Sequence, residues 1–354
     1  MVLREQFSQS ATWRVDAVSP ISVADVLARL VEEAQARQAR RFRPFPTGFV
    51  PLDELLGGGL HNGDLTLIGG PQGVGKTILT LQIARNIAMA GTVALYICYE
   101  HTRAHLLQRL LCLESYDPNA STGQRGLTLA ELNALISRPE EVNHQDDSNI
   151  LDSLLAHPQA SRALGRIQQY ADRLMLIKAG LITDLDAISK VTNELHQRYN
   201  SRVILFVDYL QKVPAQGERA GDEAARTTVV AEGLKDIAMQ LHIPVVAIAA
   251  ADRPGLKVPR VRVYDLRGSS ALQYESDVVI MLNNKYRIVS KSHVTYNPHK
   301  AQAYRGYIVL SLEKNRNGPA DVNLEFAFHP AFFRLDTVGG VVREQLIGER
   351  GVEE

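Results

Sequence analysis

"IGGPQGVGKT", residues 68–77, runs from apolar residues into glycines and closes on a lysine and a threonine. Gly70, Gly75, Lys76 and Thr77 fit the spacing G-x-x-x-x-G-K-S/T, with Gly73 inside it. That spacing carries meaning only where a strand comes before it and a helix after it. Both neighbours are present. "DLTLIG" (64–69) has the apolar character of a buried strand, and "TILTLQIARNIAMA" (77–90) has a helical period. Glycines let the backbone curl until successive N–H groups point inward, and the helix N-terminus adds the positive end of its dipole. The loop is therefore a cradle for anionic phosphates, built on Gly70, Gln72, Gly73, Val74 and Gly75. Lys76 is placed to reach the β- and γ-phosphates of a nucleotide such as ATP, and the Thr77 hydroxyl to hold Mg²⁺.

Outward from this loop, short apolar runs alternate with helical segments, which predicts an α/β fold with a mostly parallel sheet. The expected strands are 64–69, 92–99, 173–179, 202–208, 243–250 and 277–282. After residue 300 the pattern changes to "GYIVLSLEK", "DVNLEFAF" and "FFRLD", strands joined by short turns, so the sheet is expected to end in antiparallel hairpins. Residues 117–150 and 285–305 are polar and read as surface excursions. Ahead of all this, Val26, Leu27, Leu30, Val31 and Ala34 form an apolar stripe at helical spacing, with Ser22 as N-cap and Pro44 and Pro46 ending the segment beyond it. This helix either packs on its own domain or docks on a neighbouring subunit. Trp13, upstream of it, either anchors to a neighbour or covers apolar surface. The expected organisation is an N-terminal arm and linker helix over 1–45 and an α/β domain over 46–354.

Composition narrows the class. Among 354 residues, 45% are hydrophobic and 22% charged, values of a soluble globular protein. Lys+Arg and Asp+Glu both number 39, so no global field draws the chain to nucleic acid or to an anionic membrane, and any such attraction has to be local. Two cysteines, Cys98 and Cys112, are too few for a disulfide framework. The N-terminus lacks the apolar stretch of a signal peptide, and no run approaches membrane-spanning length, so a cytosolic location is expected.

Phosphate binding is not yet hydrolysis, which also needs a second carboxylate on a strand and a group that orients water. "RVILFVDYLQ" ends an apolar strand on Asp208, which is either the acid that holds Mg²⁺ through water or a turn residue. Glu100 ends "TVALYICYE" and either polarises the attacking water or supplies negative charge to the helix after it. His101 and His105 stand four apart, but no third ligand points to zinc. Cys98 reads as core.

With these pieces the chain resembles the RecA-like ATPase domain of DnaB-type hexameric helicases, from about residue 21 to about 337. "SVADVL" and "TGFVPLDELLGGGL" are similar to the family's linker helix and domain entry. "ALYICYEHTRAHLLQRLL" resembles the segment with its catalytic glutamate, here Glu100. "FVDYLQKV" resembles its second acidic motif, at Asp208. "VYDLRGSSALQYESDVVIML" resembles its DNA-contacting loop, and "LEKNRNGP" its Lys-x-Arg-Asn-Gly-Pro turn. The resemblance implies a homo-oligomeric ring, hexameric in the family, with ATP between subunits. Arg316 would then reach in trans to the γ-phosphate of the neighbour's nucleotide, with Lys314 beside it. Read alone, "EKNRNG" is a charged hairpin turn.

A local positive excess lies in "DRPGLKVPRVRVYDLRG" (252–268), where Arg253, Lys257, Arg260, Arg262 and Arg267 outnumber Asp252 and Asp265. Alone it is a solvated loop; around a closed ring it would line the bore with cations that follow single-stranded DNA. The resemblance carries Arg267, Gly268 and Ser269 over as contacts to the DNA backbone. Three features depart from the family. Its N-terminal domain, which contacts primase, is not matched, so primase and loader proteins are not carried over. Ala250 stands where relatives place a polar residue, and Gly268 where glutamate is frequent. The expectation is an ATP- and Mg²⁺-dependent DNA helicase, acting in processes such as DNA replication. The alternatives are a RecA- or KaiC-like ATPase switch that unwinds nothing, and a nucleotide-bound scaffold.

Overall fold

A strand buried on both faces satisfies its N–H and C=O groups only by pairing with other strands, so the apolar runs meet in one sheet. The computed structural model describes residues 21–35, 43–121, 123–137, 150–199, 202–215, 223–252, 255–290 and 298–348. The chain divides into two units, Met1–Arg43 and Pro44–Glu354. In the first, helix α1 (Val23–Gln35) starts where Ser22 Oγ accepts a hydrogen bond from Asp25 N at 3.1 Å. Trp13 lies outside the described residues.

In the second unit six strands run parallel: β1 (Leu65–Gly69), β2 (Val93–Cys98), β3 (Leu174–Lys178), β4 (Val203–Asp208), β5 (Val245–Ile248) and β6 (Val278–Asn284). Their spatial order is β3-β2-β4-β5-β1-β6. The sheet continues antiparallel through β7 (Tyr307–Asn315) and β8 (Val322–His329). Two short strands, β9 (Arg334–Leu335) and β10 (Gly340–Val341), both pair with β8. The expected hairpins are there; β10, two residues long, escapes a pattern search.

The period of two sorts side chains between the faces even where every position is apolar. Leu65, Leu67, Leu95, Ile97, Leu205, Val207, Val245 and Ala247 face one way and pack under helices 185–198 and 223–241. Ile68, Tyr96, Phe206, Val246 and Ile248 face the other and pack under the helix that starts at Lys76. In chain order the helices so far are α2 (Val50–Leu55), α3 (Lys76–Met89), α4 (Arg103–Ser115), α5 (Leu129–Ile136), α6 (Ile150–Ala156), α7 (Pro158–Gln168), α8 (Leu185–Arg198) and α9 (Glu223–Leu241). The chain then adds α10 (Ser269–Glu275), α11 (Lys285–Ile288) and α12 (Pro298–Tyr304).

Two polar segments read as surface excursions hold more order than expected. α5 starts on a capping box, with Thr128 Oγ1 accepting from Glu131 N and the Glu131 carboxylate accepting from Thr128 N. It buries Leu132 against Cys112, Leu127 and Leu154. In the second segment α11 and α12 close a small core of Ile288, Val289, Ala301 and Tyr304.

α3 is buried on several sides, and its fully buried amide shows how. Gln82 Nε2 donates to Leu335 O at 2.8 Å while Gln82 Oε1 accepts from Leu335 N at 2.9 Å, so the side chain stands in for a strand neighbour of β9. Gln82→Leu leaves both backbone groups buried without partners, each costing about 1–3 kcal/mol. Urea denaturation of this variant is expected to give a stability about 2–4 kcal/mol lower, with the fold retained.

Candidate active site

Parallel strands finish at the same edge, and that edge holds the candidate site. The loop leaves β1 at Gly69 and enters α3 at Lys76, with Gly75 left-handed at the helix cap (φ 105°). Gly70 has φ +139°, and a Cβ there would lie 2.3 Å from Leu282 O, so only glycine lets the loop rest against β6. Val74 is buried beneath the loop. Above it opens a cavity of about 520 Å³ lined by Gln72, Gly73, Gly75, Lys76, Thr77, Glu100 and Asp208, among others.

Lys76 folds back, its ammonium donating to Gly70 O and Pro71 O at 2.8 Å each. Burial pulls its pKa down to about 8, with the Asp208 and Glu100 carboxylates acting in the opposite sense. Thr77 Oγ1 donates to Asp208 Oδ2 at 2.9 Å, and the Tyr96 hydroxyl donates to the same oxygen at 3.2 Å. Asp208 is buried, and desolvation raises its pKa against the lowering effect of those two hydrogen bonds. A hydroxyl and a desolvated carboxylate side by side are hard oxygen donors that gain from a cation, which fits Mg²⁺ held by Thr77 and Asp208.

Glu100 is exposed just past the end of β2 and faces the cavity. The helix after it is capped by another residue, since Thr102 Oγ1 accepts from His105 N at 3.2 Å. Sequence reasoning missed further wall residues, among them Arg109, His101, Phe333 and Tyr209. The Arg109 guanidinium sits 5.2 Å from the centre of the Phe333 ring, and Phe333 takes a left-handed backbone conformation (φ 48°). His101 has its pKa lowered, chiefly by burial and then by Arg109. One helix arginine and a phenylalanine 224 positions further on share no local pattern; the sign that marks Phe333 is its positive φ, and that is structural.

The remaining expected residues fall elsewhere. Arg316 lies at the β7–β8 turn, where it pairs with Asp277 at 2.9 Å and keeps 55% of its side chain exposed. Asp277 Oδ2 accepts from Leu65 N at 2.8 Å, at the start of β1, so Arg316 stands at the edge opposite to the cavity. At about 3.3 Å per residue, β1 alone separates the two edges by about 13 Å. Lys314 donates to Gln273 O, Tyr274 O and Ser276 O, closing the C-terminal end of α10. Lys314, expected beside Arg316 as a second catalytic cation, here has its ammonium engaged by these carbonyls within its own protomer.

The basic segment begins and ends beside β5, because Ala251 and Leu266 form an antiparallel bridge. Two arginines expected on DNA are withdrawn from it. Arg260 is buried, donating to Ile347 O, Ser311 Oγ and Asn323 Oδ1. Arg262 pairs with Glu313 at 3.1 Å. Lys257 is exposed, and Arg253 lies outside the described residues. Gly268 caps α10 with φ 77°, and a Cβ there would lie 2.5 Å from Thr227 Cγ2, which accounts for glycine in place of glutamate. Ser269 is the first residue of that helix.

A mostly parallel sheet whose first strand opens through a glycine loop into a helix, faced by an acidic strand end, defines a RecA-like P-loop fold. The family model "DnaB-like helicase C terminal domain" matches residues 45–337, and the chain belongs to this family. It is 26% identical over 334 residues to the replicative DNA helicase DnaB of Leifsonia xyli subsp. xyli (strain CTCB07), covering 94% of this chain and 64% of that one. It is 28% identical over 292 residues to the replicative DNA helicase DnaB of Treponema pallidum (strain Nichols), covering 82% and 55%. The chain thus spans under two thirds of the length of these relatives. A solved structure titled "The Structure Of A DnaB-Like Replicative Helicase And Its Interactions With Primase" superposes with a TM-score of 0.64 at 19% identity, over 90% of this chain and 67% of that one, and so shares its fold. Among the described residues no helix is long and apolar enough to cross a membrane.

The depressed Lys76 pKa has a measurable consequence. Its neutral form is favoured by burial, so between about pH 8 and the unfolded value of 10.5 the unfolded chain binds more protons and stability rises with pH. A polyanion in the loop favours the charged form, so binding a nucleoside triphosphate at pH 8 is expected to be accompanied by proton uptake. Calorimetry in buffers of different ionisation enthalpy measures this, and the uptake is expected to vanish in Lys76→Ala.

Proposed function

We propose that this chain is the ATP-hydrolysing motor of a DnaB-type DNA helicase, working as a closed homo-oligomeric ring on single-stranded DNA. The observation that carries the reading is the separation of two groups on one sheet. Lys76, Thr77, Glu100 and Asp208 wall a cavity at one edge, while Arg316 is exposed at the other. An arginine so placed meets a triphosphate only when the triphosphate is held by another copy. Head-to-tail contacts of that kind close into rings when the rotation between copies permits.

In each junction Gly70, Gln72, Gly73, Val74 and Gly75 hold the phosphates through backbone N–H groups, and Lys76 neutralises the β- and γ-oxygens. Thr77 and Asp208 would hold Mg²⁺, which would supply further charge neutralisation to the phosphates when bound. Glu100 orients a water in line with the γ-phosphorus and takes its proton as the bond to the β-phosphate oxygen breaks. Arg316 from the neighbour stabilises the charge on the transferring group, a contribution typically of ~10³–10⁵ in rate. Arg109 and Phe333, at the cavity wall, supply a flat apolar and cationic surface for the base. The exposed Lys257, with the chain at Gly268 and Ser269, faces the strand of DNA; withdrawal of Arg260 and Arg262 leaves few phosphate contacts per subunit, so affinity depends on repetition around the ring.

Mixing tests the shared site. Arg316→Ala and Glu100→Gln chains are each expected to hydrolyse ATP about 10³-fold more slowly than wild type, whereas their mixture recovers part of the activity, because some junctions pair an intact Glu100 with an intact Arg316. No recovery from subunits that co-assemble rules out hydrolysis in trans. Strand displacement by the wild-type ring that needs a free single-stranded tail supports the helicase. DNA-stimulated hydrolysis without displacement favours the switch.

A further inference from the structure

Among the described residues three lysines and arginines line the cavity, and each side chain is engaged within its own protomer. Lys76 rests on the carbonyls of Gly70 and Pro71, Arg109 lies over Phe333, and Arg267 is bonded to Glu223 Oε1 at 2.6 Å. Arg267 is the one that the sequence assigns to DNA. Its presence in the cavity wall stems from how its backbone is held. Arg267 N donates to Ala250 O at 3.1 Å, which pins the end of the basic segment to the end of β5. Gln211, three residues past Asp208, clasps the same junction: Gln211 Oε1 accepts from Ala250 N at 3.1 Å, and Nε2 donates to Ala250 O at 3.4 Å and Arg267 O at 3.3 Å. At Ala250 the β5 side of the cavity therefore offers a methyl group and a backbone whose N–H and C=O are both engaged. The side chain there that can donate to an anion is Arg267.

We propose that Arg267 reads the terminal phosphate of the nucleotide from within its own protomer, released from Glu223 when a triphosphate binds, with Gln211 as the positioning residue that keeps its backbone at the cavity. The inference rests on the ATPase reading above. The Arg267–Glu223 pair is a surface pair, with side chains 35% and 50% exposed, so it is weak enough to be exchanged for a phosphate oxygen. A triphosphate drawing Arg267 inward also draws on the segment 252–266, whose closing bridge the same backbone completes. Nucleotide state is thereby transmitted to Lys257, the exposed cation proposed to face DNA. A diphosphate lacks the oxygens that would compete with the Glu223 carboxylate.

Equilibrium binding of a non-hydrolysable ATP analogue and of ADP, each with Mg²⁺ and without DNA, tests this in the full chain. In Arg267→Ala the analogue is expected to bind about tenfold more weakly and ADP within about twofold of wild type, the loss of one charge-assisted hydrogen bond. In Glu223→Gln the analogue is expected to bind about threefold more tightly, since no ion pair has to be broken. Gln211→Leu is expected to lower the ratio of analogue to ADP affinity in the same direction as Arg267→Ala. A ratio unchanged in Arg267→Ala, or no tightening in Glu223→Gln, overturns the inference and leaves the ATPase reading standing. A wild-type chain that binds neither nucleotide removes both.

Discussion

All strands of a parallel sheet finish at one edge and start at the other, so the two edges are chemically unlike. At the finishing edge the loops after β1, β2, β4 and β5 bring Lys76, Glu100, Asp208 and Ala250 to one cavity. At the starting edge the β7–β8 turn brings Arg316 to Asp277. Helix packing on both faces fixes this polarity, because reversing any central strand would expose its side chains to the wrong layer or break its ladder. The proposed trans mechanism is a consequence of that geometry: a sheet cannot bend to bring its two edges together, whereas a second copy can present one edge to the other.

Each edge is organised by one buried carboxylate. Asp208 gathers the hydroxyls of Thr77 and Tyr96, tying β4 to α3 and β2. Asp277 accepts from Leu65 N, pairs with Lys235 at 2.7 Å and holds Arg316, tying the start of β1 to α9 and to the exposed turn. Buried charges of this kind are expensive unless every lone pair is answered, and removing one partner typically costs about 3–5 kcal/mol. Their value here lies in register more than in net stability. Asp277 sets where the Arg316 turn sits relative to β1, and Asp208 sets where the Thr77 hydroxyl sits relative to the strand ends.

The basic segment shows where charge counting misleads. Arg260 and Arg262 look identical to Lys257 in a one-dimensional tally, yet Ser311, Glu313 and Asn323 on β7 and β8 take both guanidiniums into hydrogen bonds. Partners more than 50 positions away in the chain decide whether a cation faces solvent. The same holds in the polar stretches: "TLAE" at 128–131 is a readable capping box, but that its helix buries Leu132 depends on α4, α6 and α7 being near. Arg267 lies between these cases, exposed enough to be read as a nucleic-acid contact, and held at its backbone by Gln211 and Ala250 beside the cavity.

The amino-acid sequence alone determined the alternation that makes the sheet parallel, the strand edges to within a residue or two, the glycines and Lys76–Thr77 of the phosphate loop, and the acids at Asp208 and Glu100. These are local facts: period, backbone permissiveness and residue type act within a few positions. Only the tertiary structure decided that Arg109 and Phe333 share the cavity wall, that Arg260 is interior, that Lys314 closes a helix and that Arg267 pairs with Glu223 while lining the same cavity. Those outcomes depend on which distant side chains packing brings within about 3 Å, and hydrogen bonds and ion pairs act only over that range.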